Sequence, residues 1–91
     1  MDKLRAVLLL SRSEAYRVRR KVIAAEITGT IRFNPATVEL TRRDGMSRRC
    51  IVNLDNLVTV RQDDLVEFVT ILTEARMREV DRALLFAVGL D

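Results

Sequence analysis

At 91 residues the chain has the length of one domain, and 48% hydrophobic with 32% charged residues is a globular rather than a disordered balance. It has no His and one Cys, Cys50, which excludes a His general base, the usual Ser-His or Cys-His nucleophiles, an internal disulfide and a Cys-rich zinc site. Residues 1–49 carry 12 Lys/Arg against 5 Asp/Glu, residues 50–91 carry 4 against 8, and the sum is +3, so a polyanion is expected on one face only.

Leu4–Ser11 (LRAVLLLS) reads as a strand with apolar residues on both faces, hence a central strand or one covered by a second subunit. Its five apolar residues Ala6–Leu10 fall short of the ~7–15 that a secretory signal needs. No apolar run approaches the ~20 residues of a membrane span, and no membrane partner is expected. Arg12–Arg20 is polar and basic and reads as a long connection. Lys21–Arg32 is the clearest strand: Ile23, Ala25, Ile27, Gly29 and Ile31 alternate with Ala24, Glu26, Thr28, Thr30 and Arg32. The first set is expected to face inward.

Asn34-Pro35 breaks the run, and Ala36–Thr41 alternates again. Asp44-Gly45 marks a turn before a strand at Arg49–Leu54, and Leu57–Val60 and Glu67–Leu72 are shorter β-like runs. Thr73 is placed to cap a helix from about Glu74 to Val88, whose apolar stripe is Met77, Val80, Leu84 and Val88, with Gly89 as its stop. Five or six short strands and one terminal helix predict a mainly β, α+β fold: an antiparallel, barrel-like sheet closed on one side by the helix. A core this thin gains from a partner or a second copy.

Glu26, Thr28, Thr30 and Arg32 project from one strand face at steps of ~7 Å. Hydroxyls ending in a guanidinium can hold a phosphodiester, while a plain solvated strand face is the alternative. Arg5 interrupts an apolar strand, which is costly unless it is exposed at the strand's start, paired, or bound to an anion. Arg42-Arg43 and Arg48-Arg49 flank the turn, and Arg17, Arg19, Arg20 and Lys21 crowd the first loop, a surface suited to a nucleic-acid backbone. Aromatics make up only 4%, so a base-stacking platform is not expected. Cys50 is read as a small buried apolar residue.

Three collinear blocks carry a family resemblance. RAVLLLSRSEAYRVRRKVIAAEITGTIR resembles the opening of the MazF/PemK (Kid-like) toxins, an "RPVLVLS" strand followed by an "AP-T-T-T" strand. RRCIVNLDNLVTVRQDDL is similar to their "S-V-NLDQL-TV-K-RL" block, and LTEARMREVDRALLFAVGL to their "LS-E-M-EVD-AL-ALGL" helix. Ala6 stands at the family's Pro, Cys50 at a Ser that helps bind RNA, and Asn56 at a common Gln. The family's usual first strand and mobile loop precede the matched blocks, so residues 1–91 are expected to be one toxin domain, short at its N-terminus.

The resemblance implies an SH3-like, CcdB-type small barrel that forms homodimers. It implies a cytoplasmic type II toxin, an mRNA interferase that cuts single-stranded mRNA at short sequences and is neutralised by a cognate antitoxin. Arg5 and Thr28 match the pair implicated in cleavage; Thr30, Arg32, Arg48, Arg49, Asn53 and Asn56 match or adjoin RNA-binding positions. No metal or cofactor is expected, because an RNA 2′-hydroxyl can itself attack the adjacent phosphate while Arg5 stabilises the charged pentavalent state. Two alternatives stay open: a shortened, inactive homologue that binds antitoxin or RNA, and a CcdB-like gyrase inhibitor.

Overall fold

The computed structural model describes residues 5–90; Leu4, expected to open the first strand, lies outside them. The elements are β1 (Val7–Leu9), α1 (Ala15–Val18), β2 (Lys21–Thr28), β3 (Thr37–Leu40), β4 (Cys50–Arg61) and α2 (Glu74–Ala87). All four strands join one antiparallel sheet in the order β1-β2-β4-β3, with α2 packed on β3 and β4. The mainly β sheet with a C-terminal helix is the predicted architecture. Details of the strands differ.

β1 pairs only with β2 and is an edge rather than a central strand. Apolar residues on both faces report burial above and below the sheet, and they carry no information about hydrogen-bonded neighbours. The expected long connection contains the single helical turn α1, whose Ala15 is buried. β2 stops at Thr28, four residues early, because the Thr28 hydroxyl accepts from the Thr30 amide at 3.2 Å and replaces the ladder with a local turn.

The two strands predicted at Arg49–Leu54 and Leu57–Val60 are one strand, β4, interrupted at its pairing with β2. Ala25 opposes Leu57, yet the next residue, Glu26, opposes Asn53, so Leu54, Asp55 and Asn56 have no opposite in β2. This wide bulge bends the sheet. Leu54 turns its amide to the Ala36 carbonyl at 2.8 Å and its side chain into the core. Burial on β2 consequently departs from simple alternation: Val22, Ala24 and Ala25 are buried, while Ile23, expected inside, is 50% exposed. Ala25 and Ile27 do join the core with Val38, Leu40, Cys50, Val52 and Leu54, against Val80 and Ala83 of α2.

The hydroxyl of Thr73 accepts from the Arg76 amide at 3.1 Å, which fixes the start of α2, and Gly89 ends it at φ 75°. Glu67–Leu72 is not a strand: it has no ladder partner and leaves Phe68 and Ile71 at least three-quarters exposed. Alternation without a neighbouring strand to pair with leaves extended coil. One contact pins it, since a Cβ on Gly45 (φ 96°) would lie 2.4 Å from the Thr70 hydroxyl.

The segment between β3 and β4 is tied to the helix by a fork. Arg76 donates from Nε to Asp44 Oδ1 at 3.0 Å and from Nη2 to Oδ2 at 3.1 Å, while Nη1 reaches Glu79 at 2.9 Å. Asp44 Oδ2 also accepts from the Thr41 amide at 2.8 Å, closing a 3₁₀ turn over Arg42–Asp44. Burial alone would push the Asp44 carboxyl up, but hydrogen bonds from Arg76 and Thr41 together hold it below the usual carboxylate range. A depressed folded-state pKa stabilises the fold above the ordinary value, and that stabilisation is lost as pH falls through the folded one. Asp44→Asn is therefore expected to cost about 1–3 kcal/mol at neutral pH. The difference from wild type, read from urea midpoints, should hold above about pH 4 and shrink as pH falls below it through the depressed folded-state pKa. Gly45→Ala, which meets both a positive φ and Thr70, should lower the same midpoint.

Candidate nucleic-acid interface

β1 and β2 run antiparallel with Val7 opposite Glu26, and the Ile27 amide donates to the Ala6 carbonyl at 3.2 Å, carrying the pairing past the end of β1. One more step puts Arg5 opposite Thr28. Directly opposed residues project to the same side with Cβ atoms ~4.5–5.5 Å apart. Both side chains line a cleft of about 670 Å³ that also takes in Glu26, Gly29, Arg48 and Cys50.

Arg48 enters from the segment that the Asp44–Arg76 fork holds, and it leans over Gly29, where a Cβ would lie 3.7 Å from its Nη2. Among the described residues, neither Arg5 nor Arg48 is tied into an ion pair. Two guanidinium groups and a hydroxyl on one cleft make a clamp for a tetrahedral or pentavalent phosphate, since guanidinium donors match phosphate oxygens bidentately.

The other sequence-predicted residues are distributed around this centre. Asn56, on the bulge, donates from Nδ2 to Glu26 Oε2 at 2.9 Å and so reaches the cleft through Glu26. Asn53 lies opposite Glu26, its side-chain carbonyl accepting from the Asp55 amide at 3.1 Å. Thr30 and Arg32 are past the end of β2 and outside the cleft wall. Arg49 is held elsewhere: its guanidinium donates to Glu39 and stacks 5.4 Å from the Phe33 ring centroid. Glu26 was legible in the sequence as a member of the polar β2 face, but nothing in the pattern singled it out. Its significance comes from the bulge that delivers Asn56 to it.

A family model of PemK-like, MazF-like toxins of type II toxin–antitoxin systems matches residues 1–88. The chain belongs to this family. Endoribonuclease MazF1 of Mycobacterium bovis is 31% identical over 83 residues, covering 91% of this chain and 77% of the relative. Among solved structures, Mycobacterium tuberculosis toxin MazF-mt6 superposes with a TM-score of 0.91 at 28% identity, covering 100% of this chain and 92% of that one. A mycobacterial endoribonuclease in complex with its cognate antitoxin follows at 0.87 and 30% identity, covering 96% and 82%.

In this MazF-like cleft Cys50 is a wall residue and 5% exposed. Burial pushes its thiol up, the Asp44 carboxylate adds to this, and Arg48 offsets part. The thiol is thus protonated at neutral pH, a weak donor and a poor nucleophile. Native protein should react with iodoacetamide at pH 7.5 at least ten times more slowly than urea-unfolded protein. Equal rates would show that Cys50 is accessible as thiolate.

Proposed function

We propose that residues 1–91 act as one toxin domain, a metal-independent, sequence-selective endoribonuclease that cuts single-stranded mRNA. The observation that carries the proposal is that Arg5, Thr28 and Arg48 line one cleft, beside a strand register that runs through Val7–Glu26 to the Ala6–Ile27 hydrogen bond. A phosphodiester seated there has its charge spread over donors from two guanidinium groups. Attack by the neighbouring 2′-hydroxyl forms a cyclic phosphate and releases a 5′-hydroxyl. Arg5 stabilises the charge that develops on the equatorial oxygens, and Thr28 positions the phosphate by a hydrogen bond. Thr30 and Arg32 extend the path of the strand beyond the cleft, and Asn53 and Asn56 border it on β4.

The family membership, relatives named as endoribonucleases and a neighbour solved with its antitoxin support a toxin neutralised by a cognate antitoxin in the cytoplasm. A reduced Cys50 suits that compartment. Among the described residues, no helix is long and apolar enough to cross a membrane. We also propose a homodimer, because Val66, Phe68, Val69 and Ile71 leave one extended apolar segment more than half exposed.

Purified protein incubated with a long RNA in EDTA should give discrete cuts on mapping of 5′ ends. Arg5→Ala should slow cleavage by about 10²–10³-fold, with Thr28→Ala also slowed. An inert wild-type protein would refute the proposal. Arg48→Ala should flatten the salt dependence of RNA binding by about one unit of slope. Arg49→Ala, already engaged by Glu39 and Phe33, should change it less.

A further inference from the structure

We infer that Glu26 accepts the proton from the attacking 2′-hydroxyl and that Asn56 positions it to do so. The inference rests on the endoribonuclease reading and adds the group which that reading leaves unnamed. A 2′-hydroxyl is a weak nucleophile until its proton is removed. The chain has no His, and a guanidinium is permanently protonated and has no acceptor atom for a proton. Among the described residues that line the cleft, Glu26 is the one carboxylate.

Its placement suits the task. Glu26 lies two residues before Thr28 on β2, so the two side chains leave the same face of the strand ~7 Å apart at the backbone. Val7 stands opposite Glu26, the Ile27 amide reaches the Ala6 carbonyl, and Arg5 follows on the side of the cleft that Thr28 and Glu26 line, which sets cation, hydroxyl and carboxylate on one wall. For an RNA that runs with the ribose on the 5′ side of the phosphate along β2, the 2′-hydroxyl comes within reach of this three-carbon acid side chain. The reverse polarity would put the leaving oxygen there instead.

The carboxylate is also oriented. Asn56 donates to Oε2 at 2.9 Å, and the contact exists because the β4 bulge brings Leu54–Asn56 back toward β2 without a backbone opposite. A neutral amide holds one oxygen of a residue that lines the cleft, and among the described residues no hydrogen bond is made to Oε1. Among the described residues Glu26 has no ion-pair partner, so no cation competes for that oxygen. A carboxylate beside a phosphate clamp weakens anion binding by repulsion, which a binding-only surface has no reason to retain. A base for the hydroxyl explains its presence.

The step balances as a transesterification. The O2′–H bond breaks and its proton passes to Glu26 Oε1; the O2′ electron pair forms the new P–O bond. The P–O5′ bond breaks with its pair on O5′, which takes a proton from water, and Glu26 later returns its proton to solvent. Nothing is oxidised or reduced.

The test uses the full chain and an RNA oligonucleotide that contains a mapped cut site. Glu26→Gln should lower kcat by about 10²–10⁴-fold with KM within threefold, and the acid limb of the wild-type rate–pH profile should disappear. Its affinity for the same oligonucleotide with a single 2′-deoxy substitution at the cut site, measured by fluorescence anisotropy, should equal or exceed wild type and report an intact fold. Glu26→Ala should regain activity in added formate, and Asn56→Ala should lower kcat while keeping the acid limb. If wild-type protein cleaves and Glu26→Gln cleaves within threefold as fast with the same pH profile, Glu26 is not the base. If wild-type protein leaves RNA intact, the endoribonuclease reading fails and takes this inference with it.

Discussion

Leu54, Asp55 and Asn56 occupy a stretch of β4 for which β2 supplies no partner, and most of the molecule's working geometry depends on that mismatch. A bulge adds length to one strand of a pair, so the sheet must bend where it occurs. The bend lets β2 bury Val22 and Ala24 on one side and Ala25 and Ile27 on the other within six residues. It sends Leu54 into the core and Asn56 to Glu26. Beyond it, the pairing resumes at Glu26 opposite Asn53 and runs to Thr28 opposite Ile51, which places the end of β2 beside the segment that carries Arg48.

That segment needs its own anchor because it has no ladder. The Asp44–Arg76 fork supplies one, and it works because Asp44 is only 8% exposed at its side chain while every carboxylate oxygen meets a donor. An exposed pair of the same geometry would contribute little against solvent screening and side-chain entropy. The fork joins α2, the most regular element, to the least regular one, so stability of the helix and position of the Arg48 loop are coupled. Thr70 against Gly45 adds a steric stop from the other side.

The cleft that results separates two electrostatic tasks. Arg5 and Arg48 are the cations on its wall among the described residues, and Glu26 lines it too, restrained by a neutral amide rather than by a cation. Arg49, adjacent to Arg48 in sequence, is spent on Glu39 and Phe33. Cationic residues clustered in sequence therefore divide into one that faces the cleft and one that braces β3 against β4.

Much of this was legible beforehand. The extended pattern of β2, the turn at Asp44-Gly45, the Thr73 cap and the Met77, Val80 and Leu84 part of the α2 stripe follow from local chemistry: side-chain alternation, a left-handed glycine and a hydroxyl beside free amides. Val88, expected in that stripe, lies past the helix end and is 49% exposed, and Ala83 is buried beside Val80 instead. Family likeness pointed to Arg5 and Thr28 together, and both line the same cleft. What the chain by itself did not disclose was long-range. That β1 lies at an edge, that Ile23 faces out, that Glu67–Leu72 finds no strand to join, and that Asn56 meets Glu26 all depend on which backbones pair and where the pairing skips. Local patterns encode how a residue sits on its own strand. Only the assembled sheet, whose bulge brings Asn56 to Glu26 across thirty residues of sequence, decides what it sits beside.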